Sequence, residues 1–179
     1  MKLEKRLSQL KKHFLENEDL ITREFSALGK KMALVYFNEF FKFADVSNSV
    51  LEPILEYDKS KPSGRFINFL QTKVLATSNA KIVNSQEEIA TEILNAKIIL
   101  LIDNEPSAIS IDATNLDKRA IAEPPTDNLL RGPREGFIED LNTNLGLVRK
   151  RLKTEKLKVE NLTVGSLTQT KVCVLYQGR

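Results

Sequence analysis

Two short runs of consecutive apolar residues restrict the folds that are open to this chain. They are "MALVYF", residues 32–37, and "IILLI", residues 98–102. A strand that is apolar at successive positions presents apolar side chains to both faces of its sheet, so both faces need a covering layer. A membrane helix would need about 20 such residues in a row. The runs therefore predict a sheet with helices packed on it, in a chain that is soluble as given.

Apolar residues at helical spacing predict helices that could cover this sheet. The expected positions are residues 3–14, a short helix that begins at Ser47 or Asn48, a helix that begins at Ser85, and residues 137–152. Ser85 and Glu88 form the Ser-x-x-Glu pattern of a capping box, which satisfies free N–H groups at a helix start. The last helix has the clearest pattern, with an apolar face formed by Phe137, Leu141, Leu145, Val148 and Leu152.

Turn residues divide the strand-like segments into pairs. Gly29 separates "LITREF" from "KMALVYF", the segment "DNEP" separates "KIILLI" from "SAISIDA", and Gly165 separates the last two strands. Glycine, proline and asparagine at such points are typical of hairpin turns. Cys173 lies in the final strand between two valines, and we interpret it as a small buried side chain.

These elements predict a mixed α/β (α+β) fold of two small subdomains, with helices packed on short mixed sheets. The N-terminal subdomain, residues 1–75, would contain a helix, a strand pair and a short helix. The C-terminal subdomain, residues 76–179, would contain a helix, a hairpin, a loop, the long helix and two strands. The uniformly apolar runs suggest that some strands pair in parallel.

The sequence lacks the side chains on which most catalytic and metal sites depend. It contains one histidine, His13, and one cysteine, so a zinc site or a Ser-His-Asp arrangement has too few candidate residues. No glycine-rich phosphate loop occurs. The net charge of +3 is too small to indicate a nucleic-acid-binding protein. We therefore expect a protein that is not an enzyme, binds no cofactor or metal, and has no nucleic-acid partner.

Basic residues are concentrated in the first sixteen residues and in "RKRLKTEKLK", residues 149–158. Residues 84–140 are acidic by contrast. Such an asymmetry predicts a basic surface that could face phosphates, a membrane or an acidic partner. The alternative interpretation is two solvated helix faces.

The segment "EPPTDNLLRGPREGF", residues 123–137, combines three prolines and two glycines with charged side chains. Each proline restricts itself and the residue before it, so the loop has a defined course. Arg131 and Arg134 precede the predicted helix, where free N–H groups and arginine favour an anion. Alternatively, the arginines pair with nearby acids such as Glu123 or Glu135 and only stabilise the loop.

Two longer segments resemble a known family. They are "AEPPTDNLLRGPREGFIEDLNTNLGLVRKRLKTEKL", residues 122–157, and "VGSLTQTKVCVLY", residues 164–176. They resemble the signature of the GerA family, the A subunits of bacterial spore nutrient-germinant receptors. On the positions that match it, the candidate contacts to a ligand or another subunit are Glu123, Arg131, Arg134, Glu135, Asn144, Arg149 and Arg151.

The resemblance implies a function in spore germination. The chain would be the soluble N-terminal domain of a receptor A subunit in the spore inner membrane, with this domain facing the core on the cytoplasmic side. It would work with B and C subunits, in a receptor for small nutrient germinants. We expect it to act in signal coupling and receptor assembly. The alternatives are a nutrient-binding domain that closes between two subdomains, and a contact of residues 149–158 with anionic lipid headgroups.

Overall fold

Two sheets organise the chain in the computed structural model, which describes residues 2–57, 64–75, 79–113 and 136–178. The strands are β1 (Leu20–Ala27), β2 (Lys30–Phe37), β3 (Asn79–Val83), β4 (Ile98–Ile102), β5 (Ala108–Asp112), β6 (Leu157–Val164) and β7 (Thr170–Gln177). The helices are α1 (Leu3–His13), α2 (Phe43–Val46), α3 (Glu52–Leu55), α4 (Phe66–Phe69), α5 (Gln86–Leu94) and α6 (Leu141–Arg151). A π-helical turn, Ser47–Leu51, joins α2 to α3, and another, Leu70–Val74, follows α4.

The larger sheet has the strand order β1-β2-β4-β5-β3, and every pair in it is antiparallel. The two apolar runs, β2 and β4, lie next to each other in register from Met32 opposite Ile102 to Val35 opposite Ile99. Strands from both sides of the predicted boundary between residues 75 and 76 thus share one sheet. The mixed α/β fold is confirmed, but no described strands pair in parallel. Burial on both faces requires two covering layers and does not depend on strand direction.

Both faces of the larger sheet are covered, as the apolar runs predicted. Met32, Leu34, Tyr36, Leu100 and Ile102 contact α2, α3, α4 and the π-helical turns. Ala33, Val35, Phe37, Ile99 and Leu101 face the other way, toward α1 and α5. The stripe of α1 is buried as expected, with Leu3, Leu7, Leu10 and Phe14 all at most 5% exposed. The larger sheet is therefore the middle layer of the fold.

Two predicted helix starts can be compared with the structure. Ser85 caps α5 as predicted, since its Oγ accepts a hydrogen bond from the Glu88 N–H at 3.0 Å, whereas the Glu88 carboxylate accepts from the N–H of Asn84, one residue before the cap. The cap predicted at Ser47 or Asn48 is wrong. The helical segment already begins at Phe43, so both residues lie within it.

The long helix also begins later than its apolar spacing predicts. Asp140 has an extended backbone and its Oδ1 accepts a hydrogen bond from the Thr143 N–H at 2.7 Å, so α6 starts at Leu141. Phe137 precedes the helix and is 73% exposed. A short acidic side chain satisfies free N–H groups at a helix start, and this local gain outweighs the extension of the apolar pattern.

The smaller sheet is a hairpin of β6 and β7, with Gly165 at its turn in the left-handed region (φ +88°). Its base packs on the rest of the protein through Leu157 and Val159, whereas Leu167 at the tip is 96% exposed. Cys173 was predicted to be buried, but its side chain is partly exposed because this part of the hairpin has little cover. Across the described ranges, no helix combines the length and the apolarity that a membrane crossing requires.

Candidate functional site

The side chain of Arg149 lies in the protein interior between two carboxylates. Its Nε donates to Asp19 Oδ2 at 2.7 Å and lies 2.5 Å from Glu39 Oε1, and its Nη2 also contacts Asp19. Its Cζ is 3.8 Å from the centroid of the Phe37 ring. The side chains of Arg149, Asp19 and Glu39 are 2%, 4% and 1% exposed. We call these three residues the Arg149 cluster.

The β1–β2 hairpin places the two carboxylates side by side. Leu20 pairs with Phe37, so Asn38 lies opposite Asp19 at the open end of the hairpin, and Glu39 follows in the turn after β2. The Asn38 N–H donates to the Asp19 carbonyl at 2.9 Å and extends the pairing. Arg149 enters from the last turn of α6. The cluster therefore joins the family-like C-terminal segment to the central sheet.

Gly146 lets α6 approach this end of the hairpin. It lies three residues before Arg149, on the same side of the helix, and both are buried. A Cβ atom at Gly146 would lie 3.4 Å from the carbonyl oxygen of Glu39. That distance is close to an ordinary van der Waals contact, so alanine would also fit at this position. The short distance between α6 and the Glu39 backbone keeps Arg149 within reach of both carboxylates.

The cluster has two acidic groups for one basic group. Burial, and then the negative charge of Asp19, raise the pKa of Glu39 to about 8, although Arg149 opposes the shift. Near neutral pH, Glu39 thus holds a proton. The cluster then has no net charge, which fits the high cost of an uncompensated charge in a protein interior.

The loop between α1 and β1, residues 14–19, also contacts the smaller sheet. The Asn17 side-chain amide donates to the Leu157 carbonyl and accepts from the Val159 N–H, each at 2.8 Å. Lys158 Nζ donates to the Leu15 carbonyl at 2.7 Å. One loop therefore binds β6 through Asn17 and α6 through Asp19.

Three of the seven predicted site residues lie in the described ranges, and they have different roles. Arg149 is buried in the cluster. Asn144 makes two local hydrogen bonds, to the Ile138 carbonyl at 2.6 Å and from the Ile138 N–H at 2.8 Å, which position the turn before α6. Arg151 is exposed at the end of α6. Glu123, Arg131, Arg134 and Glu135 lie outside the described residues, so both interpretations of their loop stay predictions.

The basic run at residues 149–158 is not one continuous surface. Arg149 and Leu157 are buried within it. Lys150, Arg151, Lys153 and Lys156 are its exposed basic residues. Lys153 Nζ donates to Asn95 Oδ1 at 2.8 Å. The predicted lipid contact would have to depend on these four exposed side chains.

A cleft of about 300 Å³ lies between α6 and the segment that follows β2. It is lined by Glu39, Phe40, Phe41, Asp45, Ala96, Ala113, Thr143, Gly146, Leu147 and Lys150. An adjoining depression of about 340 Å³ shares Glu39, Phe40, Phe41 and Thr143 with it. Within the described ranges, no three His, Cys, Asp or Glu side chains are placed to hold a metal ion. The cleft has acidic, basic and aromatic side chains around a small volume.

Sequence reasoning missed Asp19, Glu39 and Asn17. They flank strands in short polar segments, where acidic and amide residues are common. The signal that could have found the two acids is the register of the predicted β1–β2 hairpin. With Leu20 opposite Phe37, Asn38 falls opposite Asp19, and Glu39 follows at the same end of the hairpin.

Comparisons with known proteins all point to spore germination proteins. Residues 8–178 match the family described as "Bacillus/Clostridium GerA spore germination protein". The chain is 27% identical over 178 residues to spore germination protein KA of Bacillus subtilis, covering 97% of this chain and 32% of that protein. It is 33% identical over 175 residues to spore germination protein GerQA of Bacillus cereus, covering 96% of this chain and 34% of that protein.

The same fold occurs in a solved structure. The crystal structure of the N-terminal domain of the A subunit of the Bacillus megaterium spore germinant receptor GerK3 superposes with a TM-score of 0.75 at 17% identity, covering 98% of this chain and 64% of that one. The chain spans about a third of the length of the two curated relatives described above. It belongs to the GerA family of spore germination proteins and has the fold of the N-terminal domain of a germinant receptor A subunit.

Proposed function

We propose that this chain acts, without catalysing a reaction, as the N-terminal signal-coupling and assembly domain of a nutrient-germinant receptor A subunit. The receptor would lie in the spore inner membrane with this domain facing the core, in association with its B and C subunits. The observation that carries the proposal is the Arg149 cluster. It joins α6, which belongs to the family signature, to the end of the β1–β2 hairpin through buried charges.

The contacts of α6 suit a coupling role. Leu145 is the one large apolar side chain of α6 that is buried, next to Gly146 and Arg149. Leu141, Leu147 and Val148 are only half-buried, so the position of α6 also depends on the hydrogen bond of Arg149 to Asp19 and on its ionic contact with Glu39. A displacement of α6 would therefore be transmitted to the end of the β1–β2 hairpin, and a displacement of the hairpin would be transmitted to α6. The Asn17 bonds to β6 extend this connection to the β6–β7 hairpin.

Replacing Arg149 with lysine in the whole receptor tests this role. Lysine keeps the charge but lacks the planar, forked donor geometry of arginine, so it cannot contact both carboxylates as Arg149 does. We expect slower nutrient-induced germination, a lower receptor level, or both, measured by the fall in optical density of spores and by immunoblotting. The matched control is Arg23→Lys on β1, where an exposed guanidinium also stacks on an aromatic ring, that of Phe43, but outside the cluster. Normal germination at a normal receptor level in the Arg149→Lys strain would contradict the proposal.

A second candidate function is recognition of a small nutrient in the cleft. Its volume of about 300 Å³ lies at the lower end of typical ligand pockets. Asp45 and Lys150 place opposite charges on its lining beside Phe40 and Phe41. This combination suits an amino acid, whose ammonium and carboxylate groups would face Asp45 and Lys150.

Calorimetry tests the second candidate directly. We expect a binding signal when the chain is titrated with members of an amino-acid and sugar panel at millimolar concentration. Lys150→Glu should abolish it for amino acids, because the substitution reverses the charge that would face the carboxylate. Lys153→Glu makes the same change in charge outside the lining and serves as the control. Absence of a signal across the panel would contradict ligand binding by this chain.

A further inference from the structure

The Arg149 cluster contains the elements of a proton-dependent contact. Two carboxyl groups face one guanidinium, and all three side chains are at most 4% exposed. Water therefore compensates little of any net charge there. The cluster is neutral only when one proton resides on the pair of carboxyls. With both carboxyls ionised, it carries one buried negative charge.

Other titratable groups near the cluster do not supply a second cation. Among the described residues, the ion pairs of Asp19 and Glu39 are both with Arg149. The Cys173 thiol on β7 faces the same region, and its pKa is raised by burial and then by Asp19 and Glu39. Asp45 and Lys150 lie on the lining of the adjoining cleft of about 300 Å³, and Lys42 and Asp140 lie on the lining of the depression of about 340 Å³.

The cluster lies where three segments meet. Asp19 belongs to the loop that also binds β6 through Asn17, Glu39 follows β2, and Arg149 lies on α6. We propose that one proton held by the carboxyls of Asp19 and Glu39 keeps α6 and the β6–β7 hairpin docked on the larger sheet, and that loss of this proton as pH rises loosens them. The spore germination domain would thus respond to the pH of its compartment.

The direction of the pH dependence of docking follows from the environment of Glu39. Its pKa is raised from 4.5 to about 8 in the docked form. Undocking exposes the carboxyl to water and returns its pKa toward the ordinary value. The docked form therefore binds the proton more tightly, so docking is strongest below pH 4.5 and is weakened as pH rises to about 8. Within this window, linkage limits the effect to about a tenfold change in the docking equilibrium per pH unit.

Hydrogen exchange of the α6 amides at pH 6 to 9, corrected for the pH dependence of intrinsic exchange, tests the proposal. In the unmodified chain, the protection of residues 141–151 relative to β4 should fall by up to about tenfold per pH unit until about pH 8. Glu39→Gln keeps a neutral, isosteric side chain and should remove this dependence. Glu24→Gln, at an exposed position of β1, should behave like the unmodified chain.

Carbon-13 NMR of glutamate carboxyls gives an independent measurement. The Glu39 resonance, assigned by its absence from the Glu39→Gln spectrum or by its coupling to its own backbone, should titrate with a midpoint several units above the other glutamates. A midpoint near that of the exposed glutamates would overturn the proposal. The proposal would also be overturned if the protection of the α6 amides in the unmodified chain stayed constant or increased from pH 6 to 9. The same holds if a folded Glu39→Gln variant showed the same decline in protection as the unmodified chain.

Discussion

Arg149→Met is expected to destabilise the chain by about 3–5 kcal/mol, which is the usual cost of removing one partner from a buried ion pair. Methionine fills a similar volume and is a good helix former, so the change removes charge and hydrogen bonds with little effect on helix propensity. Asp19 would then be a buried carboxylate without a cation, and the stacking of Arg149 on the Phe37 ring would be lost. Urea unfolding at pH 7, followed by far-UV circular dichroism, measures the change in free energy.

Lys150→Met provides the matched control, because Lys150 is the next residue of the same helix and is exposed. We expect its effect to stay within about 0.5 kcal/mol, as for most surface substitutions. Combining Arg149→Met with Asp19→Asn and Glu39→Gln removes every charge of the cluster. If uncompensated charge causes the loss, the triple variant should be more stable than Arg149→Met alone. An equal loss in the free energy of unfolding for Arg149→Met and Lys150→Met would contradict a stabilising role of the Arg149 cluster.

The central layer of the fold could be predicted because its signals are local. In β2, Leu34 and Val35 are both fully buried, and they point to opposite faces of the sheet. Such a run identifies a strand covered on two sides without reference to distant residues. The spacing of Leu3, Leu7 and Leu10 likewise predicts α1. Strand direction was not predictable in this way, because two-sided burial leaves the direction of neighbouring strands open.

The site could not be predicted to the same degree, because its contacts join residues far apart in the sequence. Arg149 lies in a run of basic residues and therefore resembles part of a solvated helix end. Its main partner, Asp19, is 130 positions away. Whether an arginine is buried depends on such a partner, since an unpaired charge would not be tolerated there. The resemblance to the family singled out Arg149, but its partners and its burial came from the structure.

The long helix shows how a local pattern can mislead at its edges. The stripe that includes Phe137 and Leu152 predicts an apolar contact face, yet these two residues are 73% and 52% exposed. Of that stripe only Leu145 is fully buried, and it shares the buried side of α6 with Gly146 and Arg149. A glycine and an arginine count against burial in any hydrophobicity pattern. Gly146 is buried because α6 passes close to the Glu39 backbone, and Arg149 is buried because it lies between two carboxylates.

Asn17→Ala is expected to have the second large effect, either on the stability of the chain or on the docking of the β6–β7 hairpin. Asn17 is 6% exposed, and its amide satisfies one carbonyl and one N–H group at the base of β6. Alanine would leave both backbone groups without these partners, at a cost of about 1–3 kcal/mol for each buried group. The base of the β6–β7 hairpin packs through few residues, so the chain can relieve this cost by releasing the hairpin.

Hydrogen exchange together with urea unfolding distinguishes these two responses to Asn17→Ala. If the hairpin stays docked, global stability should fall by about 2–6 kcal/mol, the combined cost of two unsatisfied groups. If it is released, the global loss will be smaller, and the amides of Leu157–Val164 will lose protection while those of β4 keep theirs. Asn161→Ala, which removes a 3.4 Å contact with Glu18 on the exposed part of β6, is the control. Unchanged stability together with unchanged protection of β6 would show that Asn17 does not hold the hairpin in place.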